Sequence, residues 1–185
     1  MAQRKAGVYY IDTGITVPTT LYLKTRSLRL SSLEVLFPYE LTFSDFVNIV
    51  LKIAADGLFS MPSVGSPIGT VKTAVFYHQR VPVEIFEKVS KRIPGVPIDF
   101  NLWVKMQMQN CVTEEGAVTT LSYLWKLRKA LVRGTGRRME LDWSLIAGLS
   151  SSASEIKSDI REPIVNELYR AHLKRIDRLE RDPNE

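Results

Sequence analysis

From Ile98 to Gln109, apolar and polar side chains alternate without interruption. Ile98, Phe100, Leu102, Val104, Met106 and Met108 fall on one side; Asp99, Asn101, Trp103, Lys105, Gln107 and Gln109 fall on the other. Successive residues of a strand point to opposite faces, so the pattern predicts a strand with one buried and one wet face. Half-polar strands favour an antiparallel sheet over a parallel one buried on both faces.

The segment Val17 to Leu30 also reads as one or two strands, with Leu21 and Leu23 opposite Tyr22, Lys24 and Arg26. Thr70 to Gln79 and Met139 to Leu149 supply two more. Helical signals lie between them. Thr42 as N-cap, with Asp45 three residues on, opens a helix whose stripe is Phe46, Val47, Ile49, Val50 and Ile53, stopped by Gly57. Pro82 to Ile93 reads as a short helix, and Glu114 to Val132 as a longer one ending at Gly134-Thr-Gly136. After the Ser-rich stretch at 150–154, an amphipathic helix places Ile156, Ile160, Ile164, Leu168, Leu173, Ile176 and Leu179 at intervals of three to five. The expected fold is α+β: a small antiparallel sheet of about four strands with helices packed on it, plus this C-terminal helix. The expected organisation is a short N-terminal arm over 1–16, a core over 17–149 and a helical appendage over 150–185.

The 185 residues hold 25 Lys and Arg against 20 Asp and Glu, a net charge of +5. Between Gly116 and Met139 stand Lys126, Arg128, Lys129, Arg133, Arg137 and Arg138 with no acidic residue. A localised cationic surface is the footprint of a polyanionic or anionic-membrane partner. Lys126, Lys129 and Arg133 share one helical face, and Arg137 and Arg138 extend it. Lys24 and Arg26, on the polar side of the first predicted strand, are further candidates. Arg128 falls inside the apolar arc, where its stem can snorkel. Tyr123 is the one aromatic beside the patch, which argues against sequence-specific RNA reading.

Leu58, Phe59 and Met61 sit in GLFSMPSVGSPIG, a loop dense in breakers whose apolar residues dock either on their own domain or on a neighbouring subunit. Leu168, Leu173 and Ile176 of the last helix carry the same two alternatives. No stretch approaches the ~20 apolar residues that span a bilayer. Ala2 stands where myristoylation requires glycine. Signals for chemistry are absent. His78 and His172 lack partners at ligand spacing, Cys111 has no local activation, and Gly65 to Lys72 lacks the Gly-Lys-Ser/Thr end of a phosphate loop. We therefore expect no catalytic residue, metal, cofactor or small-molecule substrate.

The order LYLKTRSLRL, LTFSDFVNIVLKI, IGTVKTAVFYHQ, IDFNLWVKMQM, EEGAVTTLSYLWKL and WSLIAGL resembles, in local texture, the matrix proteins of rhabdoviruses, particularly small ones of plant-infecting members. The resemblance runs from about Val17 to Leu149. Many such proteins carry a longer Lys-rich arm and a PPxY motif, which this sequence lacks. The resemblance implies a non-enzymatic structural protein of the virion. It would sit peripherally at host-cell cytoplasmic membranes, self-associate, bind anionic lipid and condense the ribonucleoprotein, with the loop 57–69 as a self-association element. Two alternatives stay open. LVRGTG at 131–136 is similar to the end of a long helix in tobamovirus coat proteins, which implies an RNA-binding coat protein. A non-assembling nucleic-acid-binding adaptor or silencing suppressor would use the same basic patch.

Overall fold

Strand structure among the described residues is confined to one antiparallel pair. The computed structural model describes residues 8–59, 73–92, 99–134, 143–149, 156 and 162–182. In chain order these form β1 (Tyr10–Pro18), α1 (Thr19–Leu36), α2 (Phe43–Ala55), β2 (Ala74–Pro82), α3 (Val83–Arg92), α4 (Phe100–Cys111), α5 (Glu114–Gly134), α6 (Trp143–Gly148) and α7 (Pro163–Arg181). The class is α+β, but the sheet has two strands rather than about four, and helices surround it.

Three segments expected to be strands are mainly helical where described. In α1 the buried positions include Leu21, Thr25, Leu28, Ser32 and Val35, a spacing of four, three, four and three. This is a helical stripe. A search for apolar residues alone misses it, because two of its members are hydroxyls. Thr25 Oγ1 donates to Leu21 O and Ser32 Oγ to Leu28 O, both at 2.8 Å, so each buried hydroxyl is satisfied within its own helix. In α4, Val104, Gln107, Met108 and Cys111 are buried. Asn110 Nδ2 donates to Gln107 Oε1, which lets two amides enter the interior. Asp99 caps this helix by accepting from Leu102 N. The perfect alternation survives in a helix only because Leu102 and Met106 are left outside. The third segment is α6, with Trp143 and Ile146 buried one turn apart; residues 139–142 lie outside the described set.

Helix α2 shows why a cap is a strong sequence signal. Thr42 Oγ1 accepts from Asp45 N, the stripe from Phe46 to Ile53 is buried, and Gly57 adopts φ +76° just past the end. Helix α3 begins directly after β2. The phosphate-loop-like stretch at 65–72 is outside the described residues.

A ribbon of two strands is marginal alone and exposes two unpaired edges. Here side chains from neighbouring helices reach main-chain groups on both strands. On β1, Asn101 of α4 donates to Gly14 O and accepts from Thr13 Oγ1. On β2, Asn48 of α2 donates to Arg80 O, and Arg80 N donates to Ser44 Oγ. Gln79, buried beside them, donates to Ser44 O and Asn48 Oδ1.

One apolar core joins Ile15 and Val17 of β1 to Leu28 of α1, Ile49 of α2, Met108 of α4, Leu121 of α5 and Val165 and Leu168 of α7. Helices α1, α5 and α7 pack mutually. The last helix thus docks on its own chain, antiparallel to α1.

Candidate functional site

The cations singled out in the sequence do not converge on one described spot. Lys126 and Lys129 are half-buried on α5, and Arg133 belongs to its last turn. Arg137 and Arg138 lie outside the described residues. Lys129 Nζ is 3.7 Å from Glu162 and lies over the Trp125 ring. Lys24 Nζ is 3.6 Å from Glu180, and Arg26 is exposed on the same helix. Glu162 stands just before the first residue of α7 and Glu180 sits in its last turn, so about 27 Å of helix separates the carboxylates that meet Lys129 and Lys24. Arg128 does not simply snorkel: its Nη1 donates to Val35 O and Phe37 O at the end of α1.

The residues considered for self-association divide. Leu58 and Phe59 are half-buried against the core, and Met61 is outside the described residues. Leu168 is buried, Ile176 half-buried and Leu173 exposed. Between α7 and α1 lies a polar seam. His172 Nδ1 is 3.1 Å from Ser27 Oγ, Ser31 Oγ donates to Leu168 O, and Arg175 donates to Ser27 O and Ser31 Oγ while pairing with Glu34. Burial, reinforced by the Arg175 and Lys24 charges, lowers the His172 pKa to about 4.

Two surfaces that sequence reading missed are more organised. The first is the outer face of the ribbon, where Thr16 stands opposite Phe76, Gly14 opposite His78, and Asp12 opposite Arg80. Phe76 is 60 % exposed and meets His78 edge-on at 5.1 Å. A Cβ on Gly14 would stand 2.7 Å from Phe76 Cζ, so glycine leaves room for the edge of this ring. Arg80 projects over the Tyr10 ring and pairs with Asp12 at 3.3 Å. The signal was present as Phe76, His78 and Arg80 at strand spacing. By contrast Tyr123, the aromatic considered earlier, is fully buried.

The second surface is apolar. Phe86 of α3 meets Phe100 at 5.2 Å, Phe100 stacks on Trp103, and Leu102 and Met106 stand exposed one turn apart on α4.

A small cleft of about 100 Å³ opens between Lys52, Asp56, Glu84, Lys88, Trp143 and Ala147. Asp56 bridges Lys52 and Lys88, and although burial works against it, the two ammonium groups hold its carboxyl below the usual range. Formal charges around the cleft cancel. Cys111 is buried, with its thiol pushed up by desolvation. Among the described residues no three His, Cys, Asp or Glu side chains converge to hold a metal, and no helix is long and apolar enough to cross a membrane.

The chain matches no protein-family model, no curated protein and no solved structure.

Proposed function

We propose that this protein is a non-enzymatic structural protein of the matrix-like kind, whose primary activity is self-association. The observation that carries the reading is the outward face of α4. A helix normally turns its apolar residues inward, yet Leu102 is 45 % and Met106 39 % exposed. Half-buried Phe100 and Trp103, with Phe86 beside them, extend the apolar surface to α3. The occupant is a second copy of this chain: about a two-fold axis the exposed Leu102 and Met106 of one copy meet the same residues of the other, and Asp99 and Lys105 flanking them supply charges of both signs. In this reading Lys126 and Lys129 of α5 contribute to contact with an anionic membrane surface as a peripheral partner, in the virion and at host-cell membranes.

Sedimentation velocity over a concentration series tests the reading. The unmodified chain should show a concentration-dependent increase in mass, and L102E/M106E should remain monomeric with an unchanged melting curve. A chain that stays monomeric throughout, or a variant that associates normally, refutes it.

A further inference from the structure

We propose that the outer half of α7, Tyr169 to Arg181, is a latch on α1 that opens locally when His172 takes up a proton, while Val165 and Leu168 stay docked. The inference concerns a different surface from the self-association face and does not rest on it.

The two halves of α7 are held differently. The first carries Val165 and Leu168 into the core, and Ser31 Oγ donates to Leu168 O at 3.1 Å. Glu162 ties the same end to Lys129 of α5. From Tyr169 to Arg181, His172 is the only buried side chain, at 1 % exposure. Leu173 is exposed there, and Ile176 and Leu179 are half-buried. The other ties of this half are polar. Arg175 Nη1 donates to Ser27 O and Ser31 Oγ. The ion pairs Arg175–Glu34 and Lys24–Glu180 have carboxylates that are mostly exposed, so each is weak. The outer half therefore depends chiefly on one imidazole and one guanidinium.

The surroundings of His172 suit the neutral ring. Ser27 Oγ, 3.1 Å from Nδ1, is itself buried, and the charges that act on the ring are cations on both helices, Arg175 on α7 and Lys24 on α1. Glu34 and Glu180 are paired with those same cations, at 3.4 and 3.6 Å. From α5, the third helix of this cluster, Glu114 acts on Tyr169. A proton on the docked ring would thus place a third positive charge beside two others, away from water. Lifting the outer half returns the ring and its neighbours to solvent and leaves the core beneath Val165 and Leu168 intact. Because the docked ring titrates at about 4 and a solvated one near 6.5, protons favour the open form throughout that interval. A detached helix this short is marginal in water, so opening also frees its amides to exchange.

The test is hydrogen–deuterium exchange mass spectrometry of the full chain at pH 7.5, 6 and 5, with exchange times scaled for the intrinsic pH dependence of the reaction. This range stops above the ordinary carboxylate pKa values, which leaves histidine as the titrating side-chain type. Peptides from 169–181 should lose protection about twentyfold between pH 7.5 and 5, while those from α2 keep theirs. In H172N and H172Q the 169–181 peptides should be equally protected at both pH values, whatever their level at pH 7.5. The chain's other histidine, His78 on β2, is retained in both variants and serves as the internal control. Protection lost in step across the whole chain, no loss over 169–181, or an unaltered pH dependence in both variants would each overturn the latch.

Discussion

Arg128 of α5 donates from Nη1 to the main-chain carbonyl of Val35, 2.6 Å away at the end of α1. A second bond from the same nitrogen reaches Phe37 O at 3.0 Å. The final carbonyls of a helix lack intrahelical partners and carry the negative end of its dipole. A guanidinium placed there answers both needs and ties α5 to α1. R128M keeps most of the apolar stem and removes the donors. It should cost about 2 kcal/mol, read as a lower urea midpoint with an unchanged slope. A midpoint within experimental scatter of the unmodified chain refutes the capping role.

His172 makes α7 docking pH-dependent. Its folded pKa, about 4, lies below the ordinary 6.5. Between those values the unfolded chain binds the extra proton and the folded chain does not, so stability is complete above about pH 6.5 and falls as pH is lowered toward 4. The groups facing it are Ser27 and Lys24 on α1 and Tyr169 and Arg175 on α7, and both charged groups among them are cations. Other groups titrate in this window, so the informative quantity is a difference. Between pH 7.5 and 4.5, H172N should lose less stability than the unmodified chain, by about 1–3 kcal/mol. Parallel pH profiles would contradict this account.

Two glycines separate soft from hard contacts. At Gly14 an added Cβ meets the tip of the exposed Phe76 ring, which can swing away, so G14A should cost less than about 1 kcal/mol. At Gly116 an added Cβ would stand 1.7 Å from Asn110 O, a main-chain atom in the last turn of α4. Backbone cannot yield in this way. G116A should cost about 3 kcal/mol or prevent folding, and differential scanning calorimetry of the two variants should rank them accordingly.

Asp56 is the shared acceptor of Lys52 and Lys88. Since its folded pKa lies below the usual 3.8, the stability it contributes is present above that value and is lost as pH falls through the folded one. D56N should therefore cost about 1–3 kcal/mol at neutral pH, because the largely buried Lys52 loses its counter-charge. In K52M the same substitution should cost distinctly less, a coupling that a double-mutant cycle measures.

Local signals were legible where a helix carries its own boundaries. Thr42, Asp45 and Gly57 delimit α2 by capping chemistry that needs no neighbour. The two-residue period failed on α1 and α4 for a specific reason. Their interior positions include Thr25, Ser32, Gln107 and Asn110, polar residues that an apolar count assigns to solvent. Strand β1 carries no signal that separates Tyr10–Thr16 from a short N-terminal arm over 1–16, although Ile15 belongs to the core.

The amino-acid order alone determined the charge balance, the capped helix α2, the starts of α3 and α5, and the amphipathic last helix. Each depends on residues within a few positions of one another. Tertiary structure decided which cations remain at the surface and which polar groups enter the interior. Arg128 is a cap only because the end of α1 lies against α5, and Arg175 is a bridge only because Ser27 and Ser31 face α7. A charge is recruited by carbonyls and hydroxyls that the chain brings to it from far away in sequence, and burying those groups unpaired costs more than the local preference for strand.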